Sequence, residues 1–222
     1  MEASAALQAF RERVDEVVLH HPVVTNNLYT KWFSKGEATR AGVRHLAVQF
    51  SVFSHQFVAA QLRKVINAAD LETYRAGKEI LMNELGVIFR PPSASLPAER
   101  NGDTDPEVVG TEGSVDGGAF RFSAAHFEWL VHFGAPLGLA FEDLGKMRHA
   151  TPSTRFFCEE LLRIYGAEDA SIGEGASFAI EHWAAAGFWK ELIAGLRAFK
   201  NRELPELPLG FWVWHDKIED QH

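Results

Sequence analysis

The sequence predicts an all-α protein of about seven helices, in a single domain that spans residues 1–222. Apolar residues recur at helical spacing along most of the chain, as in the series Leu46, Phe50, Phe53 and Phe57. We find no convincing two-residue alternation of the kind that marks a half-buried strand. Proline and glycine gather in one stretch, residues 88–121, which we therefore expect to be a long loop.

Helical periodicity and local stop signals divide the rest of the chain. His21-Pro22 should end the first helix, and Thr151-Pro152 should begin a later one. A break is expected near Gly187. The predicted helical segments are 4–19, 38–66, 70–87, 123–134, 139–149, 152–165, 169–199 and 207–222. The loop at 88–121 is either a mobile lid over a pocket or a surface loop, and the sequence does not decide between them.

Composition limits the kinds of partner that the chain is expected to have. The formal net charge is −8, which argues against nucleic-acid binding. No apolar run approaches membrane-spanning length, and the first residues do not resemble a signal peptide. Cys158 is the one cysteine, so no disulfide can form within the chain. We therefore expect a cytoplasmic protein that binds a small molecule and can form a homodimer, although the sequence does not decide its oligomeric state.

Aromatic residues are abundant, with 17 phenylalanines and 6 tryptophans. They form either a thick aromatic core or the wall of a hydrophobic cavity around a reactive centre. Composition alone favours the core.

Four ionisable residues lie on otherwise apolar helix faces: Glu84, His126, Glu181 and His215. Burial of an unpaired charge is costly, so such groups should be neutral, paired or bound to a metal ion. Each also has a simpler interpretation, because a single Glu often marks the edge of a core and a single His is often hydrogen-bonded inside one.

The last predicted helix carries the clearest pattern. The segment WHDKIEDQH places His215, Glu219 and His222 at positions i, i+4 and i+7, on one helix face. Imidazole and carboxylate groups together suit iron, manganese or zinc. Asp216 and Asp220 point elsewhere and are expected to be solvated. An ordinary exposed polar face remains the alternative for the triplet.

In the inward-facing Glu and His residues and the WHDKIEDQH segment, the sequence resembles the heme-oxygenase-like diiron oxidases over about residues 38–222. This family includes the fatty-acid decarboxylases that form 1-undecene, the chlamydial proteins that associate with death domains, and N-oxygenases of natural-product pathways. Its last helix carries a His-x3-Asp/Glu-x2-His motif, as here. The segments ILMNELG, HFEWLVHFGAPLGL and FAIEHW match further ligand segments and supply Glu84, His126 and Glu181, with His132 as a competitor for His126.

The resemblance implies six metal ligands: Glu84, His126, Glu181, His215, Glu219 and His222. The sequence departs from the family pattern at two points, of which the first is that the family's upstream Glu and His lie within about two helical turns. Here the 88–121 stretch separates Glu84 from His126. Relatives also continue their last helix beyond its final histidine, whereas this sequence stops at His222, as a truncated chain would.

The implied function is that of a cytoplasmic oxidoreductase of a biosynthetic pathway. Two Fe(II) ions, or manganese, would activate O₂ for desaturation, C–C cleavage or N-oxygenation of a small carboxylic acid, amino acid or amine. Arginines that could bind a substrate carboxylate are Arg44, Arg63 and Arg155. Histidines that could support the ligands are His45, His55 and His182.

The alternative is a metal-free heme-oxygenase-like protein of the thiaminase or pyrroloquinoline-quinone synthase type, acting in cofactor metabolism or as a small-molecule binding protein. The thiaminase type uses a nucleophilic cysteine. Cys158 in RFFCEELL occupies a core-like helix position, which disfavours that role.

Overall fold

A computed structural model describes residues 2–90, 111–115, 118–122 and 124–218. These residues are mostly helical, which confirms the all-α class in its general form. The helices are α1 (Glu2–Val14), α2 (Pro22–Thr25), α3 (Leu28–Ser34), α4 (Arg40–Ile66), α5 (Leu71–Glu84), α6 (His126–Gly134), α7 (Pro152–Tyr165), α8 (Ala170–Trp183), α9 (Trp189–Glu203) and α10 (Gly210–Ile218). Within the described ranges, no helix is both long and apolar enough to cross a membrane.

Side-chain caps fix several helix starts where the sequence suggested them. Thr151 accepts a hydrogen bond from the backbone of Thr154, so α7 begins at the predicted point. Asp70 and Thr73 cap each other at the start of α5. Because the first backbone N–H groups of a helix lack partners within the helix, each such cap stabilises the start by about 1 kcal/mol.

Parts of the predicted loop form a small antiparallel sheet. Its strands are β1 (Val87–Arg90), β2 (Thr111–Val115) and β3 (Gly118–Phe122), in the order β1-β3-β2. The prediction of a loop throughout 88–121 is therefore wrong for these strands. Their apolar runs, such as VIFR, are short and rich in strand-forming residues, and a search for helical periodicity misses them. Residues 91–110 and 116–117 of the expected loop lie outside the described part, and the choice between a lid and a surface loop stays open.

Two helical predictions also need correction. The segment 139–149 forms two single 3₁₀ turns, Phe141–Asp143 and Met147–His149, rather than one helix. Gly145 between them has a φ of 69°, which breaks helical geometry. The short helices α2 and α3, capped by His21 and Asn27, were not among the predicted segments.

Helix α4 is the central element of the fold, and α5, α6, α7, α8 and α9 all pack against it. Its buried Leu46 and Ala47 belong to a core that also contains Leu192 of α9 and Trp212 of α10. Each large apolar side chain buried here contributes about 1.5–3 kcal/mol relative to exposure. This core packs α10 against α4, whereas α5 and α8 pack against α4 through a second cluster that includes Phe57, Ile80 and Ile180.

Candidate functional site

A cavity of about 530 Å³ lies beside α4, between α5, α8 and α10. A volume of this size is typical of small-molecule sites. Eight aromatic side chains line it: Phe50, Phe53, Phe57, Trp183, Phe188, Trp189, Phe211 and Trp214. The abundant aromatic residues therefore form a cavity wall as well as a core.

Four of the six predicted ligands line this cavity. Glu84 is the last residue of α5 and His126 is the first residue of α6. Glu181 lies near the end of α8, and His215 lies in α10. Glu219 and His222 lie outside the described residues.

Glu84 and His126 lie in contact despite the long stretch of sequence between them. Oε2 of Glu84 is 2.9 Å from Nδ1 of His126, and their side chains are only 12% and 6% exposed. The sheet explains how they meet. Strand β1 follows α5 and pairs with β3 just before α6, with Val87 opposite Phe122. This pairing holds together the two ends of the intervening stretch.

The contact between Glu84 and His126 does not have the alignment of a hydrogen bond. Nδ1 of His126 is buried and, within the described residues, has no hydrogen-bond partner. If two ligand atoms each lie about 2.1 Å from one metal ion and the ligand–metal–ligand angle is about 90°, the two atoms are about 3 Å apart. The separation and the unpartnered nitrogen therefore fit two ligands of one ion. Carboxylate and imidazole donors also suit iron or manganese.

His215 is held in the tautomer and charge state that a metal ligand needs. Its ring centre is 4.7 Å from that of His126. Its Nδ1 lies 2.7 Å from the carbonyl oxygen of Phe211 and must donate a proton to it. The lone pair is therefore on Nε2. Burial lowers the pKa of His215 to about 3, and His126 nearby contributes to the shift, so the ring is neutral at physiological pH.

Glu181 lines the cavity from α8, next to Ile180 and Trp183. As the described side chains stand, no three His, Cys, Asp or Glu residues among them come close enough to hold one ion. The predicted set has two further members, Glu219 and His222, beyond that part of the chain. The metal role of all six residues stays a prediction.

The three histidines named as possible supports for the ligands lie away from the described cavity wall. His55 stacks on Phe127 with ring centres 4.3 Å apart. Its Nδ1 lies 3.2 Å from the carbonyl oxygen of Gly145. His182 donates to the carbonyl of its own helix at Phe178, and His45 is exposed. In the described structure none of the three lines the cavity. His132, the competitor for His126, is exposed on the outer face of α6.

The three arginines proposed as carboxylate partners hold backbone carbonyl groups instead. Arg44 donates to Leu137. Arg63 donates to Leu162 at 3.2 Å and Arg155 to Met147 at 2.8 Å. None of them belongs to the described cavity wall. Their role in this structure is to join α4 and α7 to neighbouring segments.

Cys158 is completely buried and is not part of the described cavity wall. Burial raises the pKa of its thiol to about 11, and the neighbouring Glu159 adds to the rise. A thiol that stays protonated at neutral pH is a poor nucleophile. This argues against the thiaminase type.

Sequence reasoning missed three polar residues in the cavity wall: Ser54, Glu79 and Asn83. Glu79 and Asn83 are four residues apart on α5 and precede Glu84. This spacing places them on the cavity side of the helix. The spacing was visible in the sequence, but a polar residue at an exposed position gives no sign that it faces a pocket.

No family model matches the chain, and no curated protein or solved structure matches it significantly.

Proposed function

We propose that this protein is a non-heme diiron oxidase or oxygenase with a heme-oxygenase-like fold, acting on a small carboxylic acid, amino acid or amine. The observation that carries the proposal is the contact of two ligand-type atoms at the end of an aromatic cavity. Glu84 Oε2 and His126 Nδ1 lie 2.9 Å apart without hydrogen-bond alignment, and Glu181 and His215 line the same cavity.

Six residues would hold the metal ions: Glu84, His126, Glu181, His215, Glu219 and His222. When bound, two Fe(II) ions supply electrons to O₂ and so activate it for attack on the substrate. The hydrogen bond from Nδ1 of His215 to the carbonyl oxygen of Phe211 fixes the ring, so that the lone pair of Nε2 is available to bind a metal ion. A second hydrogen bond of this kind is what orients most metal-binding histidines in proteins.

The cavity wall supplies binding and protection from water. Its aromatic side chains can pack against the apolar part of a substrate and exclude solvent from the reacting atoms. Glu79 and Asn83 are exposed residues of the same wall, so they are placed to contact the polar part of a substrate at the mouth. An amine would pair with the Glu79 carboxylate more favourably than an acid would.

The test is iron loading without oxygen, followed by metal analysis and O₂ uptake. We expect about two Fe(II) ions per chain, in line with the two-metal carboxylate bundles. Replacement Glu84→Ala should lower the bound iron. Its control, Glu72→Ala, changes an exposed residue in the first turn of the same helix and should leave iron binding unchanged.

A chain that binds no iron, with both variants equal to the parent, contradicts the proposal and leaves the metal-free alternative. Iron that binds but reacts with O₂ no faster than free Fe(II) contradicts the oxidase part alone.

A further inference from the structure

A second group of polar side chains is buried between α4, α7 and α8. Gln61, Tyr165 and Ser177 are 0%, 1% and 6% exposed. Both amide atoms of Gln61 have no hydrogen-bond partner within the described residues, and the hydroxyl of Tyr165 has no aligned one, although the Ser177 side chain is near enough to lower its pKa. Buried polar groups are nearly always hydrogen-bonded, either to protein or to internal water. The Gln61 amide nitrogen and the Tyr165 hydroxyl can donate, and the Gln61 amide oxygen and the same hydroxyl can accept. Buried groups of this kind commonly bind an internal water molecule.

This polar group lies between the cavity and the protein surface. On the cavity side, Phe57 lines the cavity and its ring centre is 6.0 Å from that of Tyr165. On the surface side, Nζ of Lys64 pairs at 3.0 Å with Oε2 of Glu174, whose side chain is 41% exposed. Gln61 stands four residues after Phe57 and three before Lys64, so it lies on the same face of α4 between them.

Helix α8 continues the series on its own inner face. Glu174, Ser177 and Glu181 are spaced i, i+3 and i+7, so neighbouring members are about 5–6 Å apart along the helix. One water molecule can bridge each gap. Burial raises the pKa of Tyr165 above its usual range, and the carboxylates of Glu181 and Glu174 both add to the rise, while Ser177 opposes it. Tyr165 belongs to the same apolar cluster as Ala176 and Ile180 of α8, which places α7 against this helix beside Ser177.

We propose that Gln61, Tyr165 and Ser177 bind internal water and that this water carries protons from Glu174 at the surface to the cavity beside Glu181. The proposal rests on the proposed function, because reduction of O₂ consumes protons that an aromatic cavity wall keeps away. Each hydroxyl or water accepts one proton as it passes its own to the next. No group on the route changes its net protonation, and the proton comes from bulk solvent.

The internal water is tested first, on the metal-free protein. Water ¹⁷O relaxation dispersion counts the water molecules that are held longer than the protein takes to tumble. Gln61→Leu removes both amide atoms at similar volume, and Tyr165→Phe removes only the hydroxyl. Each should lose at least one long-lived water. Tyr74→Phe, at an exposed tyrosine of α5, is the control and should lose none.

An unchanged water count in the Tyr165 variant overturns the proposal, whether or not the count changes in the Gln61 variant. If Gln61→Leu does not fold, Tyr165→Phe decides, since it keeps the ring that packs against Phe57.

The proton route is tested on iron-loaded protein mixed with O₂. Tyr165→Phe should bind the same amount of iron and oxidise it about tenfold more slowly, with a larger solvent deuterium isotope effect. Tyr74→Phe should match the parent. An unchanged rate and isotope effect in Tyr165→Phe overturns the route. Absence of bound iron shows instead that the proposed function has failed and the route with it, while the water count is read separately.

Discussion

At the scale of single residues, neighbours set the chemistry of each cavity group. The same residue type behaves differently at different positions. His215 packs against the ring of His126 and its pKa falls to about 3, whereas His132 on the outside of α6 remains in contact with solvent. Position in the cavity wall, rather than residue type, therefore separates His126 and His215 from the other described histidines.

His126 and His132 provide a matched pair for the metal prediction. His126→Ala removes a buried nitrogen beside Glu84, while His132→Ala changes an exposed ring on the same helix. Loss of an outer partner of a metal ligand costs about 10–100-fold in affinity, so loss of the ligand itself should cost at least as much. We expect His126→Ala to weaken Fe(II) binding by that factor in a competition titration. Equal weakening in both variants would contradict the assignment.

Cys158 provides a test that does not depend on metal. With a pKa of about 11, only about one thiol in a thousand is ionised at pH 8. Labelling by a thiol reagent at pH 8 should therefore be at least about 100-fold slower in the folded protein than in denaturant. The folded protein should label more slowly because its pKa is raised, and its reactive thiolate appears only as the pH approaches 11. Labelling of the folded protein at the unfolded rate would restore the cysteine as a candidate nucleophile.

The inward placement of Glu84 and His126 was predictable from helical periodicity, but their contact was not. The contact depends on the pairing of β1 with β3, and those short strands carry no helical signal. In the sequence a long stretch separates Glu84 from His126, and in the structure a sheet brings the two ends of that stretch together.

At the scale of elements, the break between α8 and α9 shapes the cavity. The chain leaves helical geometry at Ala186 and Gly187, where Gly187 has a φ of 99°. Glu181 before the break and Trp189 after it both line the cavity. The sequence predicted this break, because a glycine in the middle of an apolar helix favours an interruption.

Two glycines test the break. At Gly187 an added Cβ meets no atom within 4 Å, but the positive φ is strained for any other residue. Gly187→Ala should lower the free energy of unfolding by about 1–2 kcal/mol. Gly175 in α8 has equally open space and no positive φ, so Gly175→Ala should raise it by about 0.5–1 kcal/mol. Denaturant unfolding measures both. Shifts in the same direction would mean that the glycine at the break is not conformationally required.

At the scale of the whole molecule, one long helix organises both the core and the cavity. Leu46 and Ala47 of α4 pack into the core, and Phe50, Phe53 and Phe57 of the same helix form the cavity wall. The general class could be predicted because periodicity reports which face of each helix is apolar. Which apolar faces enclose a space rather than fill it depends on how the helices cross, and no local pattern contains that information.

The central claim is that Glu84, His126, Glu181 and His215 bind metal ions in this cavity. The most direct test is a crystal structure of protein loaded with Fe(II), with diffraction recorded at the iron absorption edge. We predict two anomalous peaks in the cavity, with Oε2 of Glu84 and Nδ1 of His126 on one shared ion. The contradicting result is an iron-free cavity in which Nδ1 of His126 donates a straight hydrogen bond to Glu84.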